Sequence, residues 1–292
     1  MSLQINTDGL KVMIRAAVPR TVRNWLRSPS KSLEWLWDSA KFAFGTTKTL
    51  QFQSNWSVVC HPRAYRTAYQ AQIADPDQAA EFESFLSNCR SGMILFDLGA
   101  HFGLFSLAAA HHNGKSIAVD PSPGAIRMIK TQARLNRCAH CIRTIRAAAS
   151  DSTGEIEMLS AGVLSDDYFI VSPSRCRSEL TRLDALTVDE ITKAFGVPTH
   201  IKIDVEGHEA AVLRGARTTL NSSSPVLFVE LHNEIVALSG GDPNEVPDEL
   251  ARLGYTIFSV DGQPISKEVI SRKAIIRVVA RKGSESESAI VL

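Results

Sequence analysis

Residues 200–209 read His200-Ile201-Lys202-Ile203-Asp204-Val205-Glu206-Gly207-His208-Glu209. An apolar run ends on Asp204, and two more acids and a histidine follow at once. Acids at the start of a helix are favoured by its dipole, which accounts for Glu206 and Glu209 without any chemistry. The dipole does not account for His208. An imidazole at the positive end of a helix protonates less readily, which suits a general base. His208 is therefore the expected proton acceptor, oriented by Asp204 or Glu206. Glu230-Leu231-His232 ends a later apolar run and holds two reserve groups, Glu230 and His232.

A second group of carboxylates precedes this one. Phe96-Asp97-Leu98-Gly99-Ala100-His101-Phe102-Gly103 delivers an acid at the end of an apolar run and turns on glycine. A dinucleotide fingerprint needs G-x-G-x-x-G. Starting from Gly99, its second and third glycines would be His101 and Leu104, so a nicotinamide cofactor is disfavoured. An acid just ahead of the turn fits a cationic ligand instead, and S-adenosylmethionine carries both an ammonium and a sulfonium. Asp120 lies 21 residues after Gly99, where a carboxylate accepts the ribose hydroxyls of an adenosine ligand. Its ordinary alternative is a helix cap ahead of Pro121. Ser150 and Asp151 follow three alanines into a polar turn, and Asp151 suits an adenine amino group, with a self-bonded turn as its alternative. The expected cofactor contacts are Asp97, Gly99, Ala100, His101, Gly103, Asp120, Ser150, Asp151 and Asp204.

These residues need elements that bring them to one edge. A continuous apolar run at 93–98 reads as a buried parallel strand, and 116–119, 141–149, 200–205 and 226–231 read as further strands of the same sheet. Helical patterns separate them at 104–111, 125–136, 188–195 and 206–220. Residues 155–159 and 168–171 read as a small antiparallel excursion. Strands alternating with helices give an α/β fold with an open, mostly parallel sheet covered on both faces. Such sheets bind ligands outside the carboxyl ends of their strands. Ahead of this region, 50–59 reads as one or two strands, and Asp75-Pro76-Asp77 opens a helix.

The chain has 32 Lys+Arg against 31 Asp+Glu, a net charge of +1, which disfavours a nucleic-acid partner. No apolar run is long enough to span a membrane and no signal pattern is seen. Five cysteines without framework spacing point to free thiols and a cytoplasmic setting. Cys138-Ala139-His140-Cys141 lacks the second pair that a zinc site needs. The even balance conceals an asymmetry. Residues 1–50 hold eight basic side chains against three acidic ones, and three of the four tryptophans, Trp25, Trp35 and Trp37. Short helices are expected there, one carrying Leu33, Leu36, Trp37 and Phe44. Such a segment can lie on a membrane surface. The preferred reading is packing against the domain or a second subunit, as in a homodimer.

Together the motifs resemble the FkbM-type S-adenosylmethionine-dependent methyltransferases. The resemblance runs from about His61 to Leu231, and more weakly to Gly254-Tyr255. Its most specific part is residues 201–209 followed by Val212-Leu213-Arg214-Gly215-Ala216. Arg182-Leu183-Asp184 stands where the family has threonine–leucine–aspartate, and Asp120-Pro121 where it has Glu-Pro. His101 takes the place of a common asparagine.

The resemblance implies a Rossmann-like class I methyltransferase fold, with seven strands and one antiparallel strand near the end. Residues 255–260 and 274–280 supply the last two strands. It also implies S-adenosyl-L-methionine as cofactor and methylation of a hydroxyl on a sugar, polyketide or other secondary metabolite. The expected organisation is a helical extension at 1–60, the catalytic domain at 61–282 and a polar tail at 283–292. Asp204, Glu206, His208 and Asp184 are chemically able to ligate a divalent metal. The cofactor and base roles already account for them, so no metal is expected. The alternative function is a non-catalytic adenosylmethionine-binding or scaffold protein.

Overall fold

The computed structural model describes residues 29–52, 56–160, 168–169 and 180–283. Helix α1 (Pro29–Ala43) leads into a hairpin of β1 (Lys48–Gln51) and β2 (Ser57–Cys60). Short helical turns over Pro62–Ala64, Tyr65–Tyr69 and Ala71–Ala74 follow. Helix α2 (Pro76–Asn88) starts where the Asp75 carboxylate accepts from the backbone N–H groups of Asp77 and Gln78. It buries Phe82, Phe85 and Leu86.

Strand and helix then alternate through β3 (Ile94–Leu98), α3 (Leu104–His111), β4 (Lys115–Val119), α4 (Pro123–Leu135) and β5 (Ile142–Ile145). A side sheet forms from β6 (Ala148–Ala149), β7 (Gly154–Ser160), β8 (Tyr168–Phe169) and β9 (Leu180–Leu186), in the order β6-β9-β7-β8. After it come α5 (Val188–Phe195), β10 (His200–Ile203), α6 (Glu209–Arg214), α7 (Arg217–Ser223) and β11 (Val226–Leu231). The described chain ends with α8 (Asn233–Leu238), α9 (Glu245–Arg252), β12 (Tyr255–Ser259), α10 (Lys267–Arg272) and β13 (Ile276–Lys282).

The main sheet has seven strands in the order β12-β13-β11-β10-β3-β4-β5. Only β13 runs against its neighbours, β11 and β12. Leu98 of β3 pairs with Val119 of β4 on one side and Ile203 of β10 on the other. The strand order therefore reverses between β3 and β10, and a crevice opens outside their carboxyl ends.

Alternate residues of each strand feed opposite layers, as the period of two requires. Phe96, Leu98, Leu227 and Val229 pack under α6, α7 and α9 with Val212, Leu213, Leu220 and Leu250. Leu95 and Phe228 join the other layer with Phe82, Phe85, Phe105 and Val279. Phe52, Trp56 and Val58 of the hairpin region belong to this same layer. Aromatic edges meet faces there: Phe82 and Phe105 lie 5.0 Å apart at 87°.

Two expected elements are divided. Residues 141–149 do not make one strand. β5 pairs with β4, whereas Ala148 and Ala149 leave the main sheet and pair with β9. Small side chains let the backbone turn outward there. Residues 206–220 do not make one helix either. A Cβ on Gly215 would lie 2.1 Å from the Ser150 carbonyl oxygen, so the chain breaks between α6 and α7 where it crosses the loop after β6. β9 and the turns over 62–74 are additions to the expected elements. The excursion's Val171 and the polar tail beyond Gly283 lie outside the described residues, as do the helices expected before residue 29.

α1 attaches to the body through Arg66, which pairs with Asp38 at 2.8 Å and Glu34 at 2.7 Å, and through the Phe42 and His61 rings. Cys60, Cys89, Cys138 and Cys141 are free thiols. Among the described residues no helix is long and apolar enough to cross a membrane.

Candidate active site

The crevice is a cleft lined by the turns after β3, β4 and β10 and by the segment after β5. Gly99 and His101 form its floor, with Asp120 and Pro121 on one side. Ala147, Ala148, Ala149 and Met158 make an apolar wall, and Asp204, Val205, Glu206 and His208 stand opposite. Gly99 adopts φ +78, and a Cβ there would lie 1.7 Å from the Asp204 carbonyl oxygen. Only glycine lets the first turn approach the end of β10 this closely.

Asp120 is buried and organises the floor. Its Oδ2 accepts from the His101 N–H at 2.8 Å and its Oδ1 from the Ser122 N–H at 2.7 Å. His101 sits at φ 47, in the left-handed region that histidine, like asparagine and aspartate, enters more readily than most residues. The backbone thus accounts for a residue of this type at a position where the resemblance has asparagine. Glu206, at φ 54, is a second non-glycine residue of the cleft in this region.

Several expected contacts sit behind the cleft lining. Asp97 is buried and accepts from the Ser106 N–H at 3.1 Å and the Ser106 O–H at 2.5 Å. Burial pushes its carboxyl up to about 6, against the pull of Ser106 and Lys202. Ala100 packs on Ala118, Ile126 and Ile129, and Gly103 begins α3. Ser150 reaches the site through its hydroxyl, 2.9 Å from His208 Nε2. Asp151 pairs with Arg214 at 3.1 Å. Burial is the largest single influence and pushes its pKa up, but the hydrogen bond and charge of Arg214, with His208 and Ser152, together hold the carboxyl below its usual value.

Burial lowers the pKa of His208, and the fields of Asp151 and Glu209 only partly offset this. The ring is therefore predominantly neutral at pH 7. His232 is in the opposite state. Burial pulls its pKa down, but the hydrogen bond from Nδ1 to Glu209 Oε1 at 2.9 Å and the fields of Asp204 and Glu206 lift it to about 9. Its Nε2 lies 3.5 Å from Glu206, 3.7 Å from Glu230 and 3.9 Å from Asp204.

A buried ion cluster supports this wall. Lys202 Nζ lies 2.7 Å from Glu81 and 3.7 Å from both Asp204 and Glu230. Burial alone would lower the lysine pKa, but the three carboxylates raise it well above its ordinary value. Arg277 pairs with Glu230 at 2.5 Å and Glu81 at 3.3 Å. Sequence reasoning gave no role to Lys202, Glu81 or Arg277. A signal was present: a lysine inside an apolar strand has to find an acid. Which acid it finds depends on tertiary packing.

Asp204, Glu230 and His232 each present a ligand atom within 4.8 Å of the others. This differs from the set weighed in the sequence, Asp204, Glu206, His208 and Asp184. Each of the three already has a charged neighbour: Lys202 by Asp204, Arg277 on Glu230 and Glu209 on His232.

A seven-stranded sheet of this order, with β13 reversed and its cleft at the switch point, is the Rossmann-like methyltransferase architecture. Residues 97–257 match the methyltransferase FkbM domain, and the chain belongs to that family. It is similar to the hexuronic acid methyltransferase AglP of Haloferax volcanii, with 25% identity over 155 residues covering 52% of this chain. The match spans 59% of that relative's length. Among solved structures it is similar to a methyltransferase FkbM from Methylobacillus flagellatus, with 17% identity and a TM-score of 0.44 over 65% of this chain and 43% of the other. A precorrin-6y C5,15-methyltransferase from Geobacter metallireducens gives 12% identity and a TM-score of 0.43 over 73% and 93%.

Proposed function

We propose that this chain transfers a methyl group from S-adenosyl-L-methionine to a hydroxyl oxygen of a small acceptor, with a uronic-acid sugar as the leading acceptor class. One observation carries the reading: a neutral histidine, His208, opens on the same cleft as Asp120 and the acidic pair Asp204 and Glu206. The donor set suits the cofactor. Asp120 is a carboxylate for the ribose hydroxyls, residues 147–149 and Met158 are an apolar wall for adenine, and Asp204 and Glu206 face a cationic end. When bound, the cofactor supplies an electrophilic methyl carbon on a sulfonium.

The chain's own residues supply position and proton transfer. Asp97 acts from behind the turn, holding the start of α3 through Ser106. Ser150 fixes the His208 ring. With Nε2–H donated to Ser150 Oγ, Nδ1 carries the lone pair that takes the acceptor's proton. Holding the reactants in line can contribute about 7–11 kcal/mol to lowering the barrier. The uronic-acid assignment draws on the activity named for the Haloferax volcanii relative.

The test has two arms. Calorimetric titration is expected to show binding of S-adenosylhomocysteine and none of NAD. Incubation with methyl-labelled cofactor and a panel of hydroxylated sugars, glucuronides included, is expected to label an acceptor. Binding of NAD alone would overturn the cofactor assignment. Binding of S-adenosylhomocysteine with no transfer to any acceptor would favour the non-catalytic reading.

A further inference from the structure

An ordinary surface helix turns its apolar side to the core and its charges to water. α1 departs from this pattern. Asp38 faces the body, 5% exposed and held by Arg66, which also pairs with the exposed Glu34. Phe42 packs inward on His61, but most large apolar side chains of α1 face out. At about 100° per residue, Leu33, Leu36, Trp37 and Phe44 fall in one sector on the side away from Asp38. Leu33 is 60% exposed, Trp37 64% and Phe44, just past the helix end, 90%. The cation at the margin of this face is Lys41, whose Nζ lies over the Trp37 ring at 5.4 Å.

The sequence ahead of the helix has matching chemistry. Residues 1–28 contain Lys11, Arg15, Arg20, Arg23 and Arg27 against the single acid Asp8, together with Trp25 and Leu26. The exposed stripe therefore has positive charge at its edge and a strongly basic segment joined to its start. Tryptophan and long basic side chains suit an interface that is apolar on one side and wet on the other. Fixed positive charge additionally selects a negative surface.

We propose that the outward face of α1 docks this protein on an anionic lipid surface. Leu33, Leu36, Trp37 and Phe44 enter the headgroup boundary, and Lys41 meets lipid phosphates. Asp38 is turned inward, and Arg66 pairs with both it and the exposed Glu34. This inference is independent of the acceptor and cofactor assignments.

The experiment is co-sedimentation of the full chain with vesicles of phosphatidylcholine alone and of equal parts phosphatidylcholine and phosphatidylglycerol. The expected result is sedimentation with the anionic vesicles, release by high salt, and little binding to the neutral ones. Leu33→Glu and Trp37→Glu should each lower the partition coefficient by about tenfold while leaving the thermal unfolding midpoint unchanged. Failure of the folded protein to sediment with anionic vesicles overturns the proposal. So does equal binding to both vesicle types. A lipid-free dimer, seen by light scattering and split by the same substitutions while vesicle binding is unaffected, would overturn it by assigning the face to a second copy.

Discussion

At the scale of single residues, the site contrasts two histidines. His208 lies beside one hydroxyl and is kept neutral by burial, whereas His232 is caged by carboxylates and holds its proton up to about pH 9. Only the first is ready to accept a proton at neutral pH. His208→Ala should therefore lower kcat by about 10²–10⁴-fold and leave the affinity for S-adenosylhomocysteine nearly unchanged. Equal loss in both quantities would make His208 a binding residue instead. The sequence allowed His208 to be chosen because helix-dipole logic explains its acidic neighbours but not the imidazole. It offered no equivalent means of ranking His232, because Glu209 and Glu206 come from a different strand–helix corner. Asp97 and Asp120 were legible as strand-end carboxylates. That Asp97 bonds Ser106 and that Asp120 clasps the His101 backbone depends on how α3 and the turns pack.

At the scale of elements, two contacts decide whether the cleft exists. The turn after β3 touches the end of β10 through Gly99. Gly99→Ala adds a Cβ 1.7 Å from the Asp204 carbonyl oxygen in a left-handed conformation. Denaturant unfolding should show a loss of about 3 kcal/mol or more, with ligand binding lost alongside. The second contact ties α2 to the sheet through Glu81 and Lys202. Lys202→Met leaves Glu81 short of a buried cation and should cost about 3–5 kcal/mol. The double variant Lys202→Met/Glu81→Gln should regain much of that loss, and the difference between the two unfolding free energies measures the coupling. The element types on either side were readable from periodicity. The division of residues 206–220 into α6 and α7 was not, because it arises from Gly215 meeting a backbone that lies 65 positions earlier in the chain.

At the scale of the molecule, the wall of the cleft is a shared ion cluster. Glu81, Asp204, Glu206, Glu209 and Glu230 surround Lys202, Arg277 and His232, five carboxylates against three cations when His232 is protonated. His232 has an ordinary value of 6.5 and about 9 in the fold. The folded state therefore binds its proton more tightly than the unfolded chain. That stabilisation is complete below pH 6.5 and is lost as pH rises through about 9, on the order of 3 kcal/mol in all. The thermal unfolding midpoint should fall across this window, and His232→Asn should flatten the fall. By itself, the sequence determined the alternation of strand and helix, the strand-end acids and the family signature, because these depend on local period and spacing. Tertiary structure alone decided which charges meet, where Ala148 and Ala149 leave the sheet, and that α1 turns Asp38 inward and Trp37 outward. Those outcomes depend on contacts between distant parts of the chain, in which burial and pairing outweigh local preference.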